Sequence, residues 1–339
     1  MSIKSKLQKT ATDIETLILG ARVENQSDWR RGHLGASGAG HPCDRKIWMD
    51  FRWTTDPKHD ARLLALFERG HLEEDRFVAG LRAAGITVWD VNPETDEQWR
   101  VKWGHVGGSC DGVAQADFIL DGKKFLLEFK THSVKSFARL KAKKVRSAKK
   151  EHWVQMQLYM LGMGLEFAYY MAVEKNSDDL YTEFVVFDEA AAKKALQRVI
   201  DVANQPSPPA RLDQSFAPCV YRSREGEEYP CQHFEVCHGE KPAERSCRTC
   251  LEATVSVDKE WSCDMGRDIS GVEAQKKGCN AHVTLPGITT AEIVSADKED
   301  RRVEWAYPSG KTVVEGPDEM EKPESVERVC KAFNGKVIG

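Results

Sequence analysis

Residues 113–129 carry a strand–turn–strand pattern that restricts how the chain can fold. Residues 113–120 are mostly apolar and predict one strand, and residues 123–129 predict a second. Between them, Asp121-Gly122 is a turn sequence of the kind that joins two neighbouring strands. A turn this short makes the two strands run antiparallel, so the segment predicts a hairpin within a sheet.

Three charged residues frame this hairpin. Asp111 precedes the first strand, and Glu128 and Lys130 end the second. Because side chains alternate along a strand, Glu128 and Lys130 share a face and Phe129 is expected to point into the core. Two carboxylates and an ammonium at one edge suit metal-assisted phosphodiester hydrolysis, in which the acids bind a hard cation and the lysine orients water. On its own, however, Glu-x-Lys is more often a solvated strand face with a weak ion pair.

An acidic helix is predicted upstream of the hairpin. Residues 63–78 combine apolar positions with the acidic run Glu73-Glu74-Asp75. A glutamate from this helix, Glu74 or its neighbour Glu73, is expected to reach a metal bound at the hairpin. The alternative is a charged helix face stabilised by pairs three and four residues apart.

A second helix is predicted downstream, over residues 152–162. Its apolar positions 153, 154, 158, 161 and 165 fit one helical face. Gln155 and Tyr159 are four residues apart, so they lie one turn above the other on a single face. The alternative is an ordinary polar pair on an amphipathic helix, but the position after the Glu-x-Lys strand favours a functional role.

The segment that leads into this helix is strongly basic. Residues 135–150 contain eight lysines and arginines and no acid, whereas the whole chain of 339 residues has a formal net charge of −4. A local cationic stripe in a near-neutral protein favours contact with a polyanion. A solvated helix face, the alternative, normally mixes both signs. The cations are Lys135, Arg139, Lys141, Lys143, Lys144, Arg146, Lys149 and Lys150.

Taken in order, these segments resemble the motifs of the PD-(D/E)XK nuclease superfamily, in its RecB-like and lambda-exonuclease-like branch. The resemblance covers about 90 residues, and four motifs in order are far more specific than any one alone. The motifs are G-x-x-x-E at residues 70–74, G-x-x-D-G at 108–112, E-x-K at 128–130 and Q-x-x-x-Y at 155–159.

The resemblance implies a division of roles within this set. The implied ligands of magnesium or manganese are Asp111, Glu128, the backbone carbonyl of Phe129 and, as in RecB-like members, His71. The implied catalytic residues are Asp111, Glu128, Lys130 as the catalytic lysine and Glu74 as a helper. Gln155 and Tyr159 would contact the DNA strand, together with the basic segment.

Four cysteines extend the resemblance to the CRISPR-associated RecB-like exonucleases. Residues 37–48 look like the N-terminal S-x-C-x-R segment of that family, in which an early cysteine joins three late ones around an iron–sulfur cluster. The implied ligands are Cys43, Cys219, Cys231 and Cys237. The family pattern has a cysteine where this chain has Glu228, so Cys219 would substitute. Ligation by four thiolates is chemically reasonable, and isolated buried cysteines are the alternative.

A separate cysteine group predicts a zinc module. Cys247-x2-Cys250 is a knuckle, and it is followed by Cys263 and by Cys279-Asn-Ala-His282. A C-x2-C knuckle with two further ligands is typical of a tetrahedral zinc site, and about 45 residues with few apolar side chains need such a staple. Either Cys279 or His282 supplies the last ligand, and a set of free thiols is the alternative.

Composition indicates the expected compartment. The chain begins Met-Ser-Ile-Lys-Ser-Lys, without the apolar core of a signal peptide. No stretch approaches the roughly 18 apolar residues that predict a membrane span, so no membrane partner is expected. The cytoplasm of a bacterium or of a phage-infected cell is therefore predicted. In that reducing compartment, ten cysteines indicate metal ligands more than disulfides.

The order of predicted elements indicates an α/β fold. It would have a restriction-endonuclease-like core, with a mixed central sheet flanked by helices, and a small cysteine-rich C-terminal module. Strands are predicted at 167–174 and 180–187, and a helix capped by Asp188 at 189–203. The predicted regions are an N-terminal helical segment (1–30), the nuclease core (31–205), a linker with the Cys231/Cys237 segment (206–240), the zinc module (241–290) and a small C-terminal segment (291–339).

These features predict a metal-dependent DNA nuclease, specifically an exonuclease of phage or mobile-element recombination and repair. A single-strand annealing protein is a candidate partner. One alternative is a non-catalytic nucleic-acid-binding adaptor on a nuclease-like fold. Another is an interaction protein whose cysteine modules dock a recombination partner. The intact acid–acid–lysine set argues against both alternatives, because neither role needs it.

Overall fold

The computed structural model describes residues 3–26, 28–215, 217–222, 228–256, 260–297 and 302–315. The chain divides into two compact units. The first comprises residues 1–29, 57–101 and 109–192, and the second comprises residues 30–56, 102–108 and 193–339. The predicted C-terminal segment is thus described in part, since its residues 316–339 lie outside the described ranges.

The helices and strands of the described residues follow in chain order. The helices are α1 Ile3–Glu24, α2 Asp44–Phe51, α3 Ala61–Ala83, α4 Val134–Ala148, α5 Lys150–Met163, α6 Glu189–Asn204, α7 Phe234–Cys237 and α8 Val272–Lys277. The strands are β1 Leu34–Gly35, β2 Thr87–Trp89, β3 Val91–Asn92, β4 Glu97–Gln98, β5 Arg100–Trp103, β6 Val106–Ser109, β7 Gly112–Gln115, β8 Phe125–His132, β9 Phe167–Glu174, β10 Leu180–Val186, β11 Val220–Arg222, β12 Glu228–Pro230, β13 Ala253–Val255, β14 Trp261–Cys263, β15 Glu292–Asp297, β16 Arg302–Ala306 and β17 Thr312–Glu315.

The first unit is built on a five-stranded sheet in the order β10–β9–β8–β7–β2. Strands β8 and β9 run parallel, and α4 and α5 form the crossover between them. The other neighbouring pairs are antiparallel. The predicted α/β fold with a mixed sheet and flanking helices is confirmed.

The predicted hairpin exists, but its turn is longer than predicted. Gly112 of β7 pairs antiparallel with Leu127 of β8. However, β7 ends at Gln115, so the prediction of a strand to residue 120 and a two-residue turn is wrong. Leu120 and Asp121 both take left-handed backbone angles, with φ of 51° and 52°, and this bends the chain over a longer loop.

One face of β8 forms the core with α3. Phe125, Leu127 and Phe129 are buried there with Phe77 and Leu81 of the helix. The rings of Phe77 and Phe129 lie 5.1 Å apart between centroids. Phe129 therefore points into the core as predicted, and its burial stabilises the fold by roughly 2 kcal/mol.

The predicted helices and later strands are also present. The helices predicted at 63–78, 152–162 and 189–203 correspond to α3, α5 and α6, and the Asp188 side chain accepts a 3.0 Å hydrogen bond from the Ala191 N–H as an N-cap. In the second unit, β15, β16 and β17 form an antiparallel sheet that buries Val303 and Trp305. Within the described ranges, no helix is long and apolar enough to cross a membrane.

Candidate active site

Strands β7 and β8 bring Asp111 and Glu128 together at one edge of the sheet. Asp111 lies directly before β7, and its Oδ2 accepts a 2.6 Å hydrogen bond from the backbone N–H of Phe129. This bond holds the Asp111 carboxylate beside the residue that follows Glu128. Gly112 comes next with φ of 152°, and a Cβ there would lie 3.0 Å from the carbonyl oxygen of Trp89. The backbone of this edge therefore requires glycine after the acid.

Glu128 is a buried carboxylate with too few partners. Its side chain is fully buried, Lys130 forms an ion pair with one of its oxygens, and Oε2 has no hydrogen-bond partner among the described residues. Burial raises the pKa of Glu128 to about 7; Lys130 opposes the rise, and the charges of Asp111 and Glu74 add to it. Because an under-compensated buried charge is costly, a further cation at this point would be favourable.

Lys130 is positioned as a donor. Its Nζ lies 2.9 Å from the carbonyl oxygen of Phe129, and its side chain keeps some contact with solvent. Burial acts to lower the pKa of Lys130, but Glu128 and Asp111 outweigh it and raise the pKa above its usual value. Lys130 therefore remains an ammonium at neutral pH, suited to orient water or a phosphate oxygen rather than to accept a proton.

Helix α3 places its two neighbouring glutamates differently. Glu73 is buried and accepts two hydrogen bonds from Arg76, at 2.9 and 3.0 Å. Glu74 instead shares the surroundings of Asp111, since burial and then the Asp111 charge raise its pKa. His71 is exposed, with its Nδ1 3.7 Å from Glu74 Oε1. We use the name acidic centre for Asp111, Glu128, Lys130 and Glu74.

The predicted polar pair of α5 lies close to the acidic centre. Gln155 and Tyr159 are buried, and Gln155 Nε2 donates a 3.3 Å hydrogen bond to Tyr159 Oη. Burial, followed by the charge of Glu128, raises the pKa of Tyr159, so its hydroxyl stays neutral. The pair thus presents uncharged donors and acceptors beside the acids.

A network that sequence reasoning missed extends this polar surface. The Tyr170 hydroxyl lies 2.9 Å from both His132 Nε2 and His152 Nδ1. Burial lowers the pKa of His132 to about 4 and that of His152 to about 3, so both rings are neutral at pH 7. A signal was present, because His132 follows Lys130 by two residues on β8 and must share its face.

The predicted basic segment forms α4 and the start of α5. Seven of its eight cations are exposed and Lys149 is half-buried. Arg146 has local partners, an ion pair at 3.5 Å with Asp188 and the ring of Trp153 at 4.5 Å. The Lys149 charge helps to lower the pKa of His132 and of His152, so the cationic surface reaches the histidine network.

The four early and late cysteines come together in the second unit. Burial raises the pKa of Cys219 to about 11, and the nearby thiols Cys43, Cys237 and Cys231 add to the rise. Arg45 Nε lies 3.1 Å from Cys237 Sγ, and the backbone N–H of Cys231 donates to the carbonyl of Cys219 at 2.8 Å. The nine cysteines that the structure describes are free thiols.

The acidic centre fits a divalent cation by its charge and donor type. Among the described residues, no three His, Cys, Asp or Glu side chains already surround a common metal position. The acidic centre offers two such side chains, Asp111 and Glu128, and the backbone carbonyl of Phe129. With Glu74 it has three carboxylates against one ammonium, and carboxylate and carbonyl oxygens are the donors that Mg²⁺ and Mn²⁺ prefer.

Comparisons with known proteins give a limited result. No protein-family model and no curated protein sequence matches the chain. The structure is similar to that of LHK-Exo in complex with dAMP, with a TM-score of 0.36 and 16% identity over 55% of this chain and 90% of that one. LHK-Exo is an alkaline exonuclease from Laribacter hongkongensis, and a second crystal structure of it gives a TM-score of 0.35 and the same identity and coverage. A phage-related exonuclease from Haemophilus somnus 129PT gives a TM-score of 0.28 and 17% identity, over 39% of this chain and 66% of that one. At these TM-scores and identities the similarity carries no argument about family or function, so the case for function depends on the site.

Proposed function

We propose that the first unit is a metal-dependent DNA nuclease that hydrolyses phosphodiester bonds at the acidic centre. The observation that carries the proposal is Glu128, a fully buried carboxylate next to Asp111 and Lys130, whose Oε2 has no hydrogen-bond partner within the described part of the chain. A structural ion pair would need neither a second acid nor a carboxylate oxygen without a hydrogen-bond donor. Both features suit a catalytic cation site, because the bound cation would be the missing partner of that oxygen.

The residues of the acidic centre divide the work. Asp111, held by the Phe129 N–H, and Glu128 would bind Mg²⁺ or Mn²⁺, with the Phe129 carbonyl as a third protein oxygen. The bound cation supplies charge stabilisation at the phosphate and lowers the pKa of water. Lys130 remains protonated and orients the attacking water for in-line displacement. Glu74, whose raised pKa makes it a better base than an exposed glutamate, is suited to accept the proton.

DNA would be held mainly through its backbone. The exposed cations of α4 would attract phosphates, and Gln155, Tyr159 and the histidine network form an uncharged and mostly buried polar group beside the acidic centre. Contacts of this kind do not read bases, so binding should depend on salt and show little sequence preference.

The finer parts of the proposal rest on the motif resemblance. They are exonucleolytic action, a place in phage or mobile-element recombination and repair, a single-strand annealing protein as partner, and the cytoplasm as the site of action. His71, exposed beside Glu74, would be a ligand only after its side chain turns toward the acids.

An iron–sulfur cluster is proposed at Cys43, Cys219, Cys231 and Cys237. The support is that Cys219 feels the charges of all three other thiols, so the four side chains share one region despite their separation in sequence. Such a cluster would act here as a structural staple of the second unit. Iron and acid-labile sulfide measured in anaerobically purified protein would test it, and their absence would remove this part of the proposal.

The nuclease itself is tested on end-labelled linear DNA and on covalently closed circular DNA, with magnesium, with manganese and with EDTA. We expect cleavage of the linear substrate with either metal and none with EDTA. Cleavage of the circle as well would indicate endonuclease action and correct the finer proposal. DNA binding without cleavage of either substrate under all metal conditions would favour the adaptor alternative.

A further inference from the structure

The second cysteine group of the second unit surrounds a small cavity. His282 and four cysteines line it, and we call the cysteines, Cys247, Cys250, Cys263 and Cys279, the thiol cluster. The cavity has a volume of about 20 Å³, which is enough for one water-sized body. The space among the thiols thus fits a single ion.

The knuckle is held in shape before any ion binds. Cys247 and Cys250 stand at the two ends of a 3₁₀ turn, in which the N–H of Cys250 donates to the carbonyl of Cys247 at 3.1 Å. Between them, Arg248 is buried, stacks 3.8 Å from the Trp53 ring centroid and donates to the carbonyl of Phe51 at 2.8 Å. A buried arginine needs partners for its charge, and these contacts supply them. They also fix the position of the turn.

Two further elements deliver the other thiols to this turn. Ala253, which lies three residues after the knuckle, begins β13 and pairs with Cys263 of β14. This pairing brings Cys263 back to the knuckle. Cys279 follows Gly278, whose φ of 62° turns the chain back after α8. At Gly278 a Cβ would lie 3.6 Å from Ser246 Cα, so the chain passes directly against the start of the knuckle.

Burial favours the neutral thiol form of both knuckle residues. Burial raises the pKa of Cys250 to about 12, while backbone hydrogen bonds from Val283 and Glu252 oppose the rise. Burial also raises the pKa of Cys247 to about 11, and Cys279 and Cys263 add to it. The Cys247 thiol donates a hydrogen bond to the carbonyl of Ala274 at 3.8 Å.

His282 has a different task. It is buried, and its Nε2 lies 3.1 Å from the Thr249 hydroxyl. That hydroxyl also donates to the carbonyl of Glu244 at 2.7 Å, so His282 supports the inside of the knuckle turn. Cys279, by contrast, acts electrostatically on both Cys247 and Cys250.

We propose that the thiol cluster binds one Zn²⁺ through Cys247, Cys250, Cys263 and Cys279, with His282 as a supporting residue rather than a ligand. Four soft thiolates in a closed, tetrahedral arrangement are the donors of a structural zinc site. The site would clamp the knuckle, the β13–β14 hairpin and the segment after α8 around one ion. It is independent of the proposed nuclease activity.

The test measures zinc and iron per chain in the full-length protein. We expect about one zinc per chain, its loss in Cys279→Ser, and its retention in His282→Asn. Cys110→Ser changes a buried cysteine of the first unit that belongs to neither group; this variant is the matched control and should keep the zinc. Zinc lost from His282→Asn but kept in Cys279→Ser would overturn the ligand assignment, and wild-type protein with no zinc, or with iron in its place, would overturn the site.

Cobalt substitution keeps the test decisive if Cys279→Ser fails to fold. Thiolate-to-cobalt charge-transfer absorption grows with the number of sulfur ligands. It is measured in Cys219→Ser protein, in which the other cysteine group lacks one of its four thiols. Intensity matching four thiolates supports the proposal, and intensity matching three contradicts it. Because metal content is read without DNA, a negative nuclease assay leaves this result unaffected.

Discussion

In both the acidic centre of the first unit and the thiol cluster of the second, burial raises the pKa of acidic groups. The two sites differ in how many candidate metal ligands they offer. Burial raises the pKa of Glu128 and the pKa of Cys250, because both groups would otherwise carry an uncompensated charge. The thiol cluster has four like side chains around one small cavity. The acidic centre has two hard ligand side chains, and its lysine still touches solvent.

The difference separates a site built for stability from a site built for exchange. Four thiolates satisfy a tetrahedral ion entirely and leave no position for a substrate. Two carboxylates and a carbonyl would fill three of the six positions of an octahedral ion and leave the other half to water and phosphate oxygens. The number of coordination positions that the protein fills is therefore our reason for proposing a catalytic role for the acidic centre and a structural role for the thiol cluster.

The largest expected effect comes from removing a charge of the acidic centre. Asp111→Ala and Lys130→Ala should each lower cleavage by about 10³-fold, because the cation loses a ligand or the water loses its orienting donor. DNA binding and zinc content should stay as in the wild type. End-labelled DNA assays, filter binding and metal analysis measure the three quantities.

Lys123→Ala is the matched control for this prediction. Lys123 is an exposed lysine of the same hairpin and forms a surface ion pair with Glu166 at 2.6 Å. Its variant should cleave normally. Undiminished cleavage by both Asp111→Ala and Lys130→Ala would break the comparison, since the acidic centre would then be no more than a structural ion pair.

The next effect is a pH dependence of stability that Glu128 causes. Its pKa rises from the usual 4.5 to about 7 on folding, so the folded state holds this proton more tightly than the unfolded state. Without a divalent cation, stability is lost as the pH rises through this window, by about 3 kcal/mol in all. Glu128→Gln lacks this loss, so its melting temperature should gain on the wild type between pH 5 and pH 8 in magnesium-free buffer. A constant difference across that range would contradict the prediction.

A smaller effect distinguishes the two glutamates of α3. Glu74→Gln should lower cleavage by about 10-fold with little change in melting temperature, because Glu74 shares the surroundings of Asp111. Glu73→Gln should instead lower stability by about 1 kcal/mol, through its bonds to Arg76, and cleave normally. The opposite pattern would make Glu73 the functional acid.

The smallest effect concerns the exposed cations of α4. Lys141→Ala with Lys144→Ala should weaken DNA binding a few-fold and make its salt dependence shallower by roughly 0.9 for each phosphate that is no longer neutralised. Lys4→Ala with Lys9→Ala, two exposed lysines of α1, is the matched control. Equal salt slopes for the two pairs would remove α4 from the DNA path.

Much of the acidic centre could be predicted because its residues are close in sequence. Asp111, Glu128 and Lys130 belong to one hairpin, and strand alternation alone decides which of them share a face. The same rule, carried two residues further, would have identified His132. Tyr170 could not be found in this way, since its approach depends on the parallel pairing of β8 with β9, which no local pattern specifies.

The wrong turn prediction and the choice left open in the zinc module have equally local causes. The short-turn prediction at Asp121 was wrong because left-handed backbone at two successive non-glycine residues is not encoded by a turn dipeptide. For the zinc module, spacing alone offered both Cys279 and His282. We favour Cys279 in the proposed zinc site because His282 Nε2 is engaged with the Thr249 hydroxyl, a contact that depends on how a buried side chain packs.

The crossover between β8 and β9 has a consequence for how the protein matures. In a chain leaving the ribosome, the β7–β8 hairpin is complete while α5, which carries Tyr159, has still to be made. At that stage the Glu128 carboxylate is hydrated and ordinary. In the folded chain Glu128 is buried and acts electrostatically on Tyr159 of α5 and Tyr170 of β9, so we expect the docking of these elements to take up a proton or a divalent cation. The ion that would serve the proposed chemistry would then also help to complete folding.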